Sequence, residues 1–368
     1  VSGLADLRLG FIPLTDCAPL IVARTLGLFA EEGLRVELNR EAAWATIRDK
    51  VAVGALDGAH MLAPMTLAAG VSPDIAKPMI APMALNANGS AITVSTALAR
   101  ALEEIDPVAL AARPVTAAPL KALIDQRRRT GARLLTFAVV FPYSMHNYAL
   151  RYWLAQAGVD PDRDVRLVVT PPPRMVEQLA SGAIDGFCVG APWNAVAAAR
   201  GVGEILMKAS QFWPGGPDKV FGVTADWAAG HADELRAALR ALIRAAAWAD
   251  DRANRDELVA LLARPEHVGV DPAAIARALE GEIVFHRGAA GLPRRDHALW
   301  FLSQMARWGQ VARDLDAEAV ADRVYRLDLF RAAALSLGPV LDPTLVFADA
   351  APAPSALFDG AAPTSPTA

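Results

Sequence analysis

Apolar runs alternate with amphipathic stretches through the first two thirds of this chain, and the alternation sets a βα order. The run LRLGFIPL at 7–14 reads as a buried strand ending in a turn, and Thr15-Asp16 after it has the chemistry of a helix cap. The stretch APLIVARTLGLFAEEG then reads as one helix closed at Gly33, a residue type that suits a helix C-terminus. LRVEL is a strand, about Ala43 to Val53 a helix, and GAHML a short strand. Strands alternating with helices predict a parallel sheet covered on both faces.

The order returns later. LLTFAVVF at 134–141 is a strand, Ser144 a cap, and MHNYALRYWLAQAG a helix closed by Gly158. VRLVV at 165–169, RMVEQLASG and DGFCVG follow as strand, helix and strand. The recurrence is visible in the letters: GALDGAHMLAP at 54–64 matches GAIDGFCVGAP at 182–192, pairing Gly54 with Gly182, Asp57 with Asp185 and Pro64 with Pro192. The same 128-residue offset carries Asp16 onto Ser144. Two equivalent α/β lobes are the simplest explanation.

From about 226 the period changes to long helices, among them DELRAALRALIRAAAWADD and HALWFLSQMARWGQV, which are expected to complete the first lobe and wrap the back of the molecule. The boundaries expected are lobe one over 1–95 plus about 218–335, and lobe two over 96–217. The Ala/Pro/Ser-rich stretch over 337–368 is expected to be a mobile, non-catalytic tail.

Composition narrows the function. The chain has 368 residues, 54% of them hydrophobic, with 36 Lys plus Arg against 40 Asp plus Glu and a net charge of -4. No basic excess is available to neutralise phosphates, which argues against direct nucleic-acid binding. Cys17 and Cys188 lie far apart and make no metal-ligand spacing, so neither a disulfide framework nor a metal site is expected. The opening VSGLADLRLGF lacks a basic head, a long apolar run and a small-residue cleavage site, and no apolar stretch is long enough for a membrane span. A soluble protein away from the membrane, in the cytoplasm, is the expectation.

In open α/β sheets ligands sit beyond the carboxyl ends of strands, where loops lead into helix N-termini, and two facing lobes make a cleft there. The candidate loops are PLTDC, EAAWAT, VFPYSMHN, PPPRM and CVGAPWN. His146 falls in the first turn after Ser144, where unpaired N–H groups favour an anion; the other reading is a histidine packed against its own helix. Gly190 permits close approach of backbone to a small ligand, although the same turn needs no ligand to exist. Trp44 stands at a helix start, either lining a site or as an ordinary half-buried tryptophan. Lys219, one of five lysines, lies near the return to lobe one and is either a surface lysine or a ligand contact. Catalytic patterns are weak: Ser144 and His146 are wrongly spaced for a nucleophile and its base, and neither GxGxxG nor a P-loop occurs, so no cofactor is expected.

LRLGFIPLTDCAPLIVARTLGLFAEEGL, REAAWATIRDKVAVGALDGAHMLAPM and DGFCVGAPWNAVAAA resemble the nitrate-binding proteins of the NrtA/NasS group. The resemblance spans roughly residues 6–330 and implies the type II two-lobed periplasmic-binding-protein-like fold with one small oxyanion in its cleft. It carries anion contacts onto Trp44, His146, Gly190 and Lys219. A further contact, a glutamine in the family, falls near Asn88–Ile92, where this chain has Ser90. Bicarbonate-binding cousins carry an acidic, calcium-holding residue at the Lys219 position; lysine there implies nitrate or nitrite in a net positive cleft, without metal. The resemblance further suggests a NasS-type nitrate/nitrite sensor that restrains a NasT-type RNA-binding antiterminator. The alternatives are the substrate-binding component of a nitrate ABC transporter and, more distantly, a cofactor-pathway enzyme on the same fold.

Overall fold

The computed structural model of the chain describes residues 4–71, 76–280, 283–338 and 355–363. Among the described residues ten strands form the framework: β1 (Ala5–Phe11), β2 (Leu34–Arg40), β3 (Gly58–Leu62), β4 (Met79–Ala87), β5 (Ser90–Ser95), β6 (Thr136–Val139), β7 (Arg166–Val169), β8 (Gly186–Gly190), β9 (Gly203–Lys208) and β10 (Pro217–Thr224). They divide into two five-stranded sheets, β2-β1-β3-β10-β4 and β7-β6-β8-β5-β9. Each sheet with its helices is one lobe of an α/β, two-lobed fold.

Each lobe has a parallel half, β2-β1-β3 or β7-β6-β8, built by right-order βα units. The expectation of purely parallel sheets fails at the next strand. β10 runs antiparallel between β3 and β4, and β5 antiparallel between β8 and β9. In each sheet the antiparallel member is the strand that has just arrived from the other lobe, and a strand entering from outside the βα succession need not follow its direction. The lobe limit expected at 95 also moves. β5 pairs wholly within the second sheet, so the chain leaves the first sheet at Asn88-Gly89, between β4 and β5. It returns between β9 and β10.

The letter repeat has a structural cause. The Asp57 carboxylate accepts the Arg8 backbone N–H at 2.7 Å while the Asp57 N–H donates to the Arg8 carbonyl at 2.8 Å. In the second lobe Asp185 makes the same pair of bonds with Thr136, both at 2.7 Å. Each aspartate thus fixes the start of the neighbouring parallel strand, in a register set by the same 128-residue offset. Gly54 and Gly182 precede them with φ of +76° and +72°, a backbone that a Cβ would strain.

Two other local expectations change. The first helix is broken: Ala18–Thr25 and Leu28–Glu31 are separate, with Gly27 at φ +75° between them. The tail is not loose throughout. Residues 355–363 lie against the second lobe, with Leu357 buried, the Phe358 N–H donating to the Phe212 carbonyl at 2.8 Å, and Tyr152 Oη donating to Asp359 at 2.9 Å. The Phe358 ring meets Tyr152 and Phe212 with centroids 6.1 and 5.6 Å away. An apolar cluster offers this polar-looking stretch somewhere to dock, and composition alone does not register it. The rest of the expected tail, 339–354 and 364–368, lies outside the described residues.

The late helices cover the back of both lobes. Arg295–Arg307 carries Trp300 and Phe301 into the shared core, and Tyr148 of the second lobe donates to Gln310 just beyond that helix at 2.6 Å. No described helix is long and apolar enough to cross a membrane.

Candidate functional site

The carboxyl ends of β1, β3 and β8 face one another across the junction of the lobes, and the connection between them is closed. The Thr15 N–H donates to the Ala191 carbonyl at 2.9 Å, joining the loop after β1 to the loop after β8. Arg48, on the helix Trp44–Ala52, sits over the Phe141 ring of the second lobe at 5.7 Å.

Four of the residues singled out from the sequence meet in this junction. Lys219, on β10, is wholly buried; its Nζ lies 5.7 Å from the Trp44 ring centroid. Trp44 is the first residue of its helix, with Ala43 extended before it, so the indole enters the cleft from the helix start. His146 lies in the first turn of Met145–Gln156, a helix begun by Ser144, whose hydroxyl accepts the Asn147 N–H at 3.0 Å. Gly190 ends β8, and a Cβ there would stand 3.1 Å from Asp16 Oδ2 and 3.5 Å from Lys219 Nζ. Lys219 is therefore no surface lysine, and Trp44 is fully rather than half buried.

Ser90 is placed differently. It pairs with Gly190 across the β5–β8 ladder, just as Lys219 pairs with Leu62 across β10–β3. Leu62 and Gly190 are related by the repeat offset, so Ser90 and Lys219 hold corresponding positions on the two crossing strands. Ser90 lines a cavity of about 250 Å³ with Asn194, Lys208 and Arg277.

Three residues not singled out for binding complete the cluster. Asp16 does not cap a helix: Thr15–Cys17 is a single 3₁₀ turn without a side-chain cap, and the buried Asp16 carboxylate meets Lys219 Nζ at 2.8 Å. Asp218 meets the same ammonium at 2.7 Å, and His60 Nε2 stands 2.8 Å from the second Asp16 oxygen. The His60 ring packs edge-on to Trp44, with centroids 5.2 Å apart. His146 Nε2 lies 3.7 Å from Asp218 Oδ2, beyond hydrogen-bond reach. The repeat held a signal for one of them, since His60 is the counterpart of Cys188. Asp218 carried no spacing that marked it, and Asp16 was marked only as a helix cap.

The expected net positive cleft is not what forms. One ammonium stands between two carboxylates, because a lysine buried without counter-charge would lose its proton. Burial works against the charged Lys219, but Asp16 and Asp218 outweigh it and raise its pKa. Burial also pushes Asp16 upward, yet Lys219 and His60 hold its carboxyl well below the usual range. Asp218 goes the other way: burial, with Asp16 adding to it, pushes it up to about 6 against the pull of Lys219. Burial keeps His60 and His146 neutral by lowering both, Lys219 adding to the effect on each.

Polar groups remain unpaired. Trp44 Nε1, both ring nitrogens of His146 and Thr15 Oγ1 are buried without a hydrogen-bond partner in the protein. Buried polar groups are normally paired, and unpaired ones cost about 1–3 kcal/mol each. Several in one cluster around a fixed ammonium suit a small polar anion. Among the described residues no three His, Cys, Asp or Glu side chains are grouped so as to hold a metal ion. Cys17 and Cys188 are buried thiols pushed far up by burial, which keeps them from acting as thiolates.

The signature of the NMT1-like family matches residues 2–263. The nitrate import ATP-binding protein NrtC of Synechocystis sp. (strain ATCC 27184 / PCC 6803 / Kazusa) is 37% identical over 90% of this chain, which spans 50% of that relative's length. The nitrate/nitrite binding protein NrtA of Synechococcus elongatus (strain ATCC 33912 / PCC 7942 / FACHB-805) is 36% identical, with 90% of this chain and 78% of the relative covered. The crystal structure of the periplasmic nitrate-binding protein NrtA from Synechocystis PCC 6803 superposes with a TM-score of 0.88 at 31% identity, covering 99% of this chain and 97% of that one. By the extent of these matches, the chain belongs to the NMT1-like family as a homologue of NrtA.

Proposed function

We propose that this protein binds nitrate or nitrite in the cleft between its lobes and serves as the substrate-binding component of a nitrate importer. The observation that carries the binding is the buried Lys219 ammonium, shared by Asp16 and Asp218 and 5.7 Å from the Trp44 ring, with polar atoms of Trp44, His146 and Thr15 buried and unpaired. A planar monoanion of weak basicity is held by fixed N–H and O–H donors rather than by full charge neutralisation. Lobe closure buries it, which is how a ligand between two lobes favours one arrangement over another.

The receptor reading is favoured over the NasS-type sensor because the similar proteins include nitrate-import components and a periplasmic nitrate-binding protein, with bicarbonate-transport proteins beside them. It takes with it an exported location and a transporter at the membrane as partner. The sensor reading takes with it the cytoplasm and a NasT-type antiterminator. Both need the same anion site, and the inert, buried thiols beside it support binding over thiol chemistry.

Calorimetric titration with nitrate, nitrite, sulfate and bicarbonate plus calcium tests the site. Heat with nitrate or nitrite, lost in Lys219→Met, is expected; no heat with either anion removes the reading. Cell fractionation with assay of importer ATPase then separates the roles. A cytoplasmic protein that co-purifies with an RNA-binding antiterminator, and leaves the ATPase unchanged, would select the sensor.

A further inference from the structure

Charge in the junction does not balance for a bare anion. Asp16 and Asp218 bring two carboxylates to the single Lys219 ammonium, all three are buried, and His60 and His146 beside them are neutral. With both carboxylates ionised the cluster carries one net negative charge, and a monoanion would add a second in a space without solvent. Like charges at such distances and burial are not accommodated together; one takes up a proton instead.

We propose that the site takes its monoanion together with one proton, and that Asp218 is the residue that carries it. The inference rests on the anion-binding reading above. A proton from solvent binds a carboxylate oxygen of Asp218 as the anion enters, and no other bond forms or breaks.

Geometry selects Asp218 over the other groups that face it. Asp16 is committed on both oxygens, to Lys219 and to His60, whereas Asp218 has one close cationic partner and a second oxygen 3.7 Å from His146. Lys219 on the same strand must stay charged to hold the anion. Cys188 from β8 and Cys17 from the turn after β1 remain protonated thiols. His60 from β3 is engaged by Asp16, and His146 is held neutral by burial and by Lys219, which leaves its N–H free to donate. An Asp218 pushed up to about 6 before any anion arrives moves higher once an anion stands beside it. Protonated, Asp218 also becomes a donor. A dianion such as sulfate would require a second proton, for which the cluster has no comparable carrier.

Calorimetry of the whole protein with nitrate in paired buffers of different ionisation enthalpy counts protons taken up per anion bound. About one proton is expected near pH 8, falling toward none near pH 5, with Kd rising about tenfold per pH unit above about 6. Asp218→Asn, whose amide does not titrate yet still accepts from Lys219, is expected to bind nitrate with buffer-independent heat and a flat pH profile. His146→Gln is expected to bind more weakly but to keep the proton uptake. Nitrate binding with no proton uptake at any pH overturns this proposal and leaves the anion site standing. Proton uptake that survives Asp218→Asn and disappears in His146→Gln overturns the assignment to Asp218. No nitrate binding at either pH removes the proposal together with the reading beneath it.

Discussion

Lys219 Nζ lies 2.8 Å from Asp16 Oδ2, and neither side chain has any exposed surface. The pair joins a strand that has just returned from the second lobe to the turn following the first strand of the chain, 203 residues away. Its ends are thus fixed by tertiary structure alone. Removing one partner strands the other charge. Lys219→Met is expected to abolish anion binding and to cost about 3–5 kcal/mol of stability, because two buried carboxylates lose their counter-ion. In urea denaturation, Lys219→Met with Asp16→Asn should cost less than the sum of the single variants. Additive losses would show that the pair is not coupled.

Gly190 brings backbone close to the same pair. A methyl group there would lie 3.1 Å from Asp16 Oδ2, tighter than most side-chain contacts, and in ordinary contact at 3.5 Å with Leu14 Cδ1 and Lys219 Nζ. Gly190→Ala is expected to weaken nitrate binding by about 1–3 kcal/mol, the range for overpacking a filled interior. Titration calorimetry checks it, and an unchanged Kd would mean that the anion does not approach Gly190.

Leu357 is buried in the large apolar cluster that also holds Tyr152 and Phe212 of the second lobe. Leu357→Ala is expected to destabilise the protein by about 2–5 kcal/mol in urea, as a buried leucine should. A loss no larger than that of an exposed side chain would show that residues 355–363 are not docked in solution.

Acid should destabilise the fold through its buried histidines, before carboxylates in the ordinary range titrate. Burial lowers His60 and His146, and pushes His297 down to about 3, so the unfolded chain takes up protons near pH 6.5 that the folded chain refuses. Their contribution is present above about pH 6.5 and lost below it, at about 1.4 kcal/mol per histidine per pH unit until each folded pKa is reached. Asp218 opposes this, since its folded value of about 6 lies above the unfolded 3.8 and it gains stability as pH falls between them. His286 is lowered by burial as well, and one group against four leaves a net loss from about pH 7 to about pH 5, measured as a falling melting temperature. A flat or rising melting temperature over that interval would contradict the buried neutral histidines.

The sequence by itself determined the lobes, because local signals repeat. Asp57 and Asp185 bracket strand starts in both halves, Gly54 and Gly182 turn the chain before them, and the alternation of apolar runs with amphipathic helices does not depend on what lies far away. It also pointed to Trp44, His146, Gly190 and Lys219, through loops at strand ends and a family resemblance. Only the tertiary structure decided the rest. Whether a crossing strand joins one sheet or the other moved β5 out of lobe one and made both sheets mixed. An aspartate that looks like a cap from its neighbours became a counter-ion for a lysine far along the chain. Residues 355–363 docked on aromatic side chains that no local pattern associates with them. The charge of the cleft, expected to be positive from one lysine, is set instead by Asp16 and Asp218 around it, since burial makes every charge depend on partners the chain supplies from elsewhere.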